Sequence, residues 1–185
     1  MPELPEVETT CRGIEPHILK QKVLDVTVRE RKLRWPVPEN LPDLLKNDSV
    51  IEVSRRAKYL LIKFTGGVLM IHLGMSGSLR IVKTSEPSEK HDHLDFQFQN
   101  GSVLRYRDPR KFGSIHWITG PLDEHPLLCA LGPEPLSSDF SGSTFHVLSR
   151  KRKAAVKTFI MDGHVVVGVG NIYANEALFR EGIKP

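Results

Sequence analysis

The chain has 185 residues, 39% of them hydrophobic, with a formal net charge of +4 and a pI of about 9.1, which is enough apolar sequence for one large or two small domains. Its two cysteines, Cys11 and Cys129, lie far apart without companion ligands at zinc spacing, which excludes a disulfide framework and a cysteine-based metal site in this chain. The sequence has no charged-then-apolar leader and no apolar run of membrane-spanning length, so we expect a soluble cytoplasmic protein with no membrane partner.

The first predicted element is an amphipathic helix over residues 3–19, because apolar side chains recur there every three or four positions. Proline and glutamate before it are common in a first helical turn. If Met1 is removed, however, Pro2 carries a free secondary amine beside Glu3. An α-amino group has a pKa of roughly 7.7–8.0, so part of it is unprotonated near neutrality. The opening residues therefore predict either an ordinary helix start or a nucleophile for Schiff-base chemistry on a sugar aldehyde carbon.

Short runs rich in β-branched and aromatic residues follow the helix and predict about eight strands. These runs cover residues 23–33, 50–54, 59–64, 68–73, 78–82, 94–98, 103–106 and 114–118. The pairs Gly66-Gly67 and Asn100-Gly101 each separate two such runs and predict hairpin turns. One helix followed by about eight strands predicts an antiparallel sandwich or barrel.

From about residue 120 the pattern changes to a proline-rich connection and then to helices over 143–151, 153–161 and 171–181. Asn171 is a candidate N-cap, and Gly182 a candidate C-terminal stop. We therefore predict an N-terminal domain at 1–130, followed by a linker and a helical part at 131–185. A helical domain that stops at Pro185 looks incomplete, so we expect the chain to be a fragment or an incomplete sequence.

Basic clusters at 29–34, 55–58, 105–111 and 150–153 are interleaved with aromatic residues, a distribution that favours a polyanionic partner such as nucleic acid. Two glycines precede the last predicted helix in the segment 168–171, where backbone N–H groups could grip a phosphate or simply form a structural turn. Lys58 and Lys157 could each be no more than surface charges.

Two glycine-bounded or proline-bounded turns carry large side chains: Met75 on one, and Arg110 with Phe112 on the other. Such residues suit insertion into a base stack, since apolar wedges partly unstack DNA, or they fold back onto the core. The run His91-Asp92-His93 does not predict a metal site, because side chains one residue apart in a strand point to opposite faces. We interpret it as a structural hydrogen-bonding group.

Six segments, in this order, resemble bacterial formamidopyrimidine-DNA glycosylase: PELPEVET from residue 2, RRAKYLL at 55–61, HLGMSGSLR at 72–80, DPRKFG at 108–113, LGPEPL at 131–136 and GVGNIYANEALF at 168–179. The likeness runs over the whole chain from residue 2. It implies an α+β fold, with an N-terminal helix, an antiparallel β-sandwich of about eight strands and the start of a helix-two-turn-helix domain. It also implies base excision repair of double-stranded DNA by a bifunctional glycosylase and AP lyase. Such enzymes excise 8-oxoguanine and formamidopyrimidines and then cut the strand at the AP site by β,δ-elimination.

The resemblance also implies roles for residues of the opening segment. Pro2, once Met1 is gone, is expected to attack C1′ of the damaged nucleotide, displace the base and form the Schiff base. Glu3 is expected to act as the acid-base group in sugar-ring opening, Glu6 to help hold the N-terminal site, and Lys58 to serve near the lesion phosphate and sugar.

The expected DNA contacts come from later segments. Met75, Arg110 and Phe112 resemble the trio that fills the gap left by the flipped nucleotide and engages the orphaned cytosine. The remaining DNA-binding positions are Lys157, Asn171 and His91. Flipping is required because the glycosidic bond cannot be reached inside a stacked duplex.

The sequence departs from the family pattern at three places. Lys111 replaces the more usual arginine of DPRRFG, and Thr158 stands where some relatives have proline. Family members also continue into a C-terminal zinc finger, so we expect one structural zinc ion there and no cofactor in this chain.

Two alternatives remain: an endonuclease VIII-like enzyme for oxidised pyrimidines, or a truncated, non-catalytic module that binds damaged DNA. We expect a monomer associated with the bacterial nucleoid.

Overall fold

The computed structural model describes residues 2–185, in which an N-terminal helix precedes eight strands, a short helix lies between the first and second strands, and the remaining helices follow the last strand. The strands are Val23–Val28 (β1), Glu52–Arg56 (β2), Tyr59–Lys63 (β3), Val68–His72 (β4), Ser78–Lys83 (β5), Asp92–Phe98 (β6), Ser102–Arg107 (β7) and Ser114–Ile118 (β8). The helices are Leu4–Ile18 (α1), Leu41–Leu45 (α2), Gly142–Ser149 (α3), Val156–Ile160 (α4) and Asn171–Arg180 (α5), with a short 3₁₀ turn at Leu122–Glu124. The predicted α+β class and the eight strands are confirmed.

The strands form two four-stranded antiparallel sheets, with the orders β1-β6-β7-β5 and β2-β3-β4-β8. Their inward side chains share one hydrophobic core, and α1 contributes its predicted apolar face to it. Because α1 contacts β2 and β3 of one sheet and β5 and β7 of the other, it fixes how the two sheets meet. Both predicted hairpins are confirmed, since β3 pairs with β4 and β6 pairs with β7.

The predicted elements differ from the structure mainly at the end of the first strand, at an additional short helix and at the start of α4. The first strand ends at Val28 rather than at residue 33, because the chain turns into a loop that buries Leu33 and Val37 in the core. The five-residue α2 was not predicted, because one helical turn is too short to show a 3.6-residue period. Helix α4 begins at Val156 rather than at residue 153.

The linker between the strands and the later helices is attached to the sandwich by Glu134. Its carboxyl group accepts hydrogen bonds from the N–H of Ala57 at 2.7 Å, from Arg55 at 2.7 Å and from Arg56 at 2.9 Å. Burial opposes ionisation of this group, but the N–H of Ala57 and the two guanidinium groups outweigh burial and lower the pKa of Glu134. Arg55 also pairs with Glu8 of α1 at 2.9 Å. The division into domains at 1–130 and 131–185 stays a prediction.

No helix within residues 2–185 is both long enough and apolar enough to span a membrane.

The β3–β4 turn provides a matched pair of glycines that tests the sheet packing. A Cβ atom at Gly67 would lie 2.5 Å from the carbonyl oxygen of Ile118 and 2.8 Å from the Trp117 ring, whereas at Gly66 the nearest atoms are 3.7 Å away. We expect Gly67→Ala to lower the free energy of unfolding by about 1–3 kcal/mol, because the neighbouring strand must shift. Gly66→Ala should change it by less than about 0.5 kcal/mol. Equal effects in chemical denaturation would contradict this packing.

Candidate active site

The centre of the candidate site is the carboxyl group of Glu3, which is 2% exposed. It accepts hydrogen bonds from three backbone N–H groups at the start of α5: Gly170 at 2.8 Å, Ile172 at 2.8 Å and Tyr173 at 3.2 Å. The first N–H groups of a helix have no partner within the helix, so a side chain from elsewhere can satisfy them. Glu3 thus caps a helix 167 residues away in the chain and brings the start of α1 next to the start of α5.

The two glycines before α5 are required by how closely α1 approaches. A Cβ atom at Gly170 would lie 2.4 Å from Cδ of Glu3, and one at Gly168 would lie 2.3 Å from the Leu4 side chain. Gly168 also has φ +82°, a conformation that other residues rarely adopt. The hypothesis that this turn grips a phosphate is wrong for the N–H groups of Gly170, Ile172 and Tyr173, because Glu3 occupies them. The structural alternative is confirmed.

Asn171 does not cap α5, contrary to the prediction. The N-cap position is Gly170, and Asn171 is the first helical residue, with an exposed side chain. The prediction failed because the acceptor that a local N-cap side chain would provide comes from Glu3 instead. At the other end of the helix Gly182, with φ +65°, lies just beyond the last turn as predicted.

Lys58 lies beside Glu3, in the turn between β2 and β3. Its Nζ donates to the carbonyl oxygen of Val169 at 3.2 Å. Burial lowers the pKa of Lys58, although the nearby carboxyl groups of Glu3 and Glu6 oppose this effect. A lysine whose charge is poorly solvated is a candidate for binding an anion or for proton transfer.

Glu6 connects the remaining groups of the site. One of its oxygens accepts the N–H of Glu3 at 2.9 Å, and the other accepts the hydroxyl of Tyr173 at 3.3 Å. Pro2 is half-buried directly before Glu3. The structure therefore brings four predicted site residues together: Pro2, Glu3, Glu6 and Lys58. Met1, whose removal the chemistry requires, lies outside the described residues.

His72 and Tyr59 form one wall of the cleft next to Lys58, and sequence analysis did not assign either of them. The cleft has a volume of about 170 Å³ and lies between the strands and the segment before α5. The two rings are 5.0 Å apart, and Nδ1 of His72 accepts the N–H of Gly74 at 3.0 Å. Burial, together with the charges of Lys58 and Arg34, lowers the pKa of His72 to about 4. His72 is therefore neutral near pH 7 and adds no charge to this wall.

A second cluster consists of Met75 on the loop from β4 to β5 and of Arg110 and Phe112 on the loop from β7 to β8. Met75 is 44% exposed and Phe112 is 43% exposed, and the guanidinium of Arg110 lies 4.7 Å from the centre of the Phe112 ring. The alternative that Met75 and Phe112 fold back onto the core is wrong. A Cβ atom at Gly74 would lie 2.4 Å from the carbonyl carbon of Phe112, so the two loops are in direct contact.

The other predicted DNA-binding residues lie on three different elements: Asn171 begins α5 between two residues that bond Glu3, Lys157 lies on α4, and His91 directly precedes β6. The carbonyl of His91 accepts the N–H of Asp108 at 3.1 Å, and His93 contacts the Asp108 carbonyl at 2.8 Å. The structural interpretation of this histidine run is therefore confirmed for His93. Lys157 lies half-exposed on α4, and its side chain has no hydrogen bond or ion pair with any of residues 2–185.

Lys111, the departure from the family pattern, has φ +56° and donates from Nζ to Glu30. The contact with Lys111, and to a smaller extent the hydrogen bond from the N–H of Lys32, lowers the pKa of Glu30 to about 2. In this structure Lys111 thus contacts an acid of its own chain.

Residues 2–185 contain no group of three or more histidine, cysteine, aspartate or glutamate side chains placed to hold a metal ion. The zinc ion expected in a C-terminal finger stays a prediction.

Comparison with known families finds two matching models. The formamidopyrimidine-DNA glycosylase N-terminal domain matches residues 1–115, and the H2TH domain of the same protein matches residues 131–185. The chain is 58% identical over 185 residues to formamidopyrimidine-DNA glycosylase of Methylococcus capsulatus, and equally so to that of Stutzerimonas stutzeri. Each alignment covers 100% of this chain and 68% of the relative.

Solved structures with the same fold contain DNA. The complex of Lactococcus lactis Fpg with abasic-site DNA matches with a TM-score of 0.91 and 34% identity, over 99% of this chain and 68% of that one. The complex of the wild-type L. lactis protein with DNA containing N7-benzyl-Fapy-dG matches with a TM-score of 0.92 and 35% identity, over 100% and 69%. A complex of MutM with DNA containing carbocyclic 8-oxo-G matches with a TM-score of 0.91 and 34% identity, over 100% and 70%.

The cap that Glu3 provides predicts a stability effect separate from any activity. Glu3→Ala leaves three backbone N–H groups without their acceptor, so we expect it to lower the free energy of unfolding by about 2 kcal/mol or more. The amides of Ile172 and Tyr173 should also exchange faster with deuterium. Glu15→Ala, at the other end of α1, is the control and should change neither. If Glu3→Ala leaves both measurements unchanged, the capping contact is wrong.

Proposed function

The chain belongs to the formamidopyrimidine-DNA glycosylase family, a family of DNA repair glycosylases, and we propose that it excises oxidised purines from duplex DNA and then cuts the strand at the resulting AP site. The observation that supports this most directly is the capping of α5 by Glu3. It assembles Pro2, Glu3 and Lys58 at the contact between the two segments that match family models.

The proposed reaction begins at the amine of Pro2 once Met1 has been removed. Its lone pair attacks C1′ of the damaged nucleotide, and the bond from C1′ to the base breaks with the base as leaving group. Opening of the sugar ring at O4′ then gives a Schiff base between C1′ and the Pro2 nitrogen. Successive loss of the two phosphates by β,δ-elimination cuts the strand, and water releases the enzyme.

Glu3 is the proposed acid-base residue for the ring opening and the proton transfers. Its carboxyl group is held by N–H groups of a rigid helix terminus, so its direction relative to Pro2 is set before DNA binds. Glu6 supports this arrangement through the backbone of Glu3.

Lys58 is proposed to bind the phosphate next to the lesion. Its ammonium group is partly desolvated in the cleft and bonds only a carbonyl oxygen there, so a phosphate would supply a charged acceptor. The neutral side chain of His72 lies within the same cleft and can donate a hydrogen bond to the same phosphate.

Met75, Arg110 and Phe112 are proposed to enter the duplex and replace the flipped nucleotide. Two exposed apolar side chains on adjacent tips match what is needed to unstack a base step. Arg110, lying over the Phe112 ring, is positioned to engage the base left opposite. Lys157, Asn171 and His91 are the proposed backbone contacts on either side. The protein is proposed to act as a monomer.

The covalent step predicts where DNA becomes attached. With an abasic-site duplex and borohydride, we expect a trapped complex whose adduct maps by mass spectrometry to the peptide beginning with Pro2. Lys58→Ala should still form this complex. A form shown by intact mass to retain Met1 should form none, because its Pro2 nitrogen is an amide. An adduct on Lys58 would contradict the assignment, and the absence of any complex would favour the non-catalytic binding module.

The lesion class can be tested with two duplexes that differ only in the damaged base. We expect excision of 8-oxoguanine opposite cytosine to exceed that of thymine glycol by at least about tenfold in kcat/KM, the discrimination typical of a pocket that fits one base shape. The solved complexes of relatives with 8-oxo-G and Fapy-dG analogues support this order. Preferential excision of thymine glycol would instead favour the endonuclease VIII-like alternative.

A further inference from the structure

We propose that Ser76 and Asp108 are positioning residues that join the loop carrying Met75 to the loop carrying Arg110 and Phe112, so that the three side chains act on DNA as one rigid unit. This rests on the proposed function, in which those side chains enter the duplex.

Asp108 is the centre of the connection and is 0% exposed. One carboxyl oxygen accepts the hydroxyl of Ser76 at 2.6 Å. The other accepts the N–H of Gly113 at 2.8 Å and the hydroxyl of Tyr106 at 3.2 Å. Ser76 lies in the loop from β4 to β5 and Asp108 in the loop from β7 to β8, so the first of these hydrogen bonds joins two loops that each cross from one sheet to the other.

Ser76 also contacts the backbone of the second loop directly. The N–H of Arg110 lies 3.2 Å from the Ser76 hydroxyl oxygen and 3.2 Å from the nearer oxygen of Asp108. The hydroxyl therefore donates to Asp108 and accepts from Arg110 at the same time. Alanine can do neither, whereas threonine can do both.

Close backbone contact makes the connection specific in geometry. A Cβ atom at Gly113 would lie 1.9 Å from the Tyr106 hydroxyl oxygen, so glycine is needed for Tyr106 to reach Asp108. On the other side His93 contacts the Asp108 carbonyl at 2.8 Å, which fixes the start of the loop against β6. His93, Tyr106 and Gly113 thus hold Asp108 in place. Because Ser76 is bonded to Asp108 and directly follows Met75, the position of the Met75 backbone is fixed as well.

The consequence concerns the selectivity of binding. Wedge side chains already fixed relative to each other lose little further freedom when they enter a base stack, whereas independent loops must be ordered on binding. The effect should appear where insertion occurs, at a lesion or abasic site, and should be absent for undamaged DNA bound through its phosphates.

The test compares Ser76→Ala with Ser76→Thr and with Ser78→Ala. Ser78 is equally half-buried, lies two residues further along, and has no side-chain hydrogen bond among residues 2–185. The measured quantity is the ratio of affinities for a duplex with a tetrahydrofuran abasic analogue and for the same duplex undamaged. We expect Ser76→Ala to lower this ratio about tenfold, as for the loss of a hydrogen bond to a charged group. Ser76→Thr and Ser78→Ala should keep it within about twofold.

A second measurement needs no DNA. In the free protein Ser76→Ala should increase amide hydrogen exchange at Arg110, and Ser78→Ala should not. An unchanged affinity ratio in Ser76→Ala, with the wild type still preferring the abasic duplex, overturns this inference alone. So does a Ser76→Thr protein that folds but loses the preference. A wild-type protein that shows no preference overturns the proposed insertion and this inference with it.

Discussion

The hydrogen bonds from the start of α5 to the carboxyl group of Glu3 are the contact on which the site depends. Gly170, Ile172 and Tyr173 supply the donors, and Glu3 is the second residue that the structure describes. A helix terminus left without acceptors in this buried position would be costly, and so would a buried carboxyl group without donors. The start of α5 therefore supplies the donors that the carboxyl group of Glu3 needs, and Glu3 supplies the acceptor that the helix terminus needs. Pro2 is consequently held beside an acid whose direction is already set.

A second set of contacts, the ion pairs of Glu134 with Arg55 and Arg56, also attaches the linker to the sandwich. Glu134 accepts the N–H of Ala57, a non-glycine residue with φ +53°, as well as both neighbouring arginines. The unfavourable backbone conformation of Ala57 is thus stabilised by a partner in the linker, and Lys58 follows it directly into the cleft. Lys58 has no ion-pair partner within bonding distance among residues 2–185, and its Nζ donates to the carbonyl oxygen of Val169. The cleft therefore holds a partly buried cation that forms no ion pair with the part of the chain that the structure describes.

Much of the fold was predictable because it follows local periodicity. The apolar spacing of α1 reflects which of its side chains enter the core, the strands were marked by runs of β-branched and aromatic residues, and the hairpin turns were marked by Gly66-Gly67 and Asn100-Gly101. The loop that replaces the end of the first predicted strand was not predictable. Tertiary packing buries Leu33 and Val37 in the core. A loop with buried apolar residues resembles a strand in its sequence, so the pattern alone could not separate the two.

For the site, the sequence by itself determined the set of residue types: a proline at position 2 beside Glu3, a lysine at position 58, and large side chains on glycine-bounded or proline-bounded turns. It could not determine partners, because hydrogen bonding between residues 167 positions apart leaves no local pattern. The glycines before α5 looked equally suited to a phosphate, and Asn171 to a cap, until Glu3 was found in that place. Only the tertiary structure decided this, since a helix terminus accepts whichever acceptor the fold brings closest.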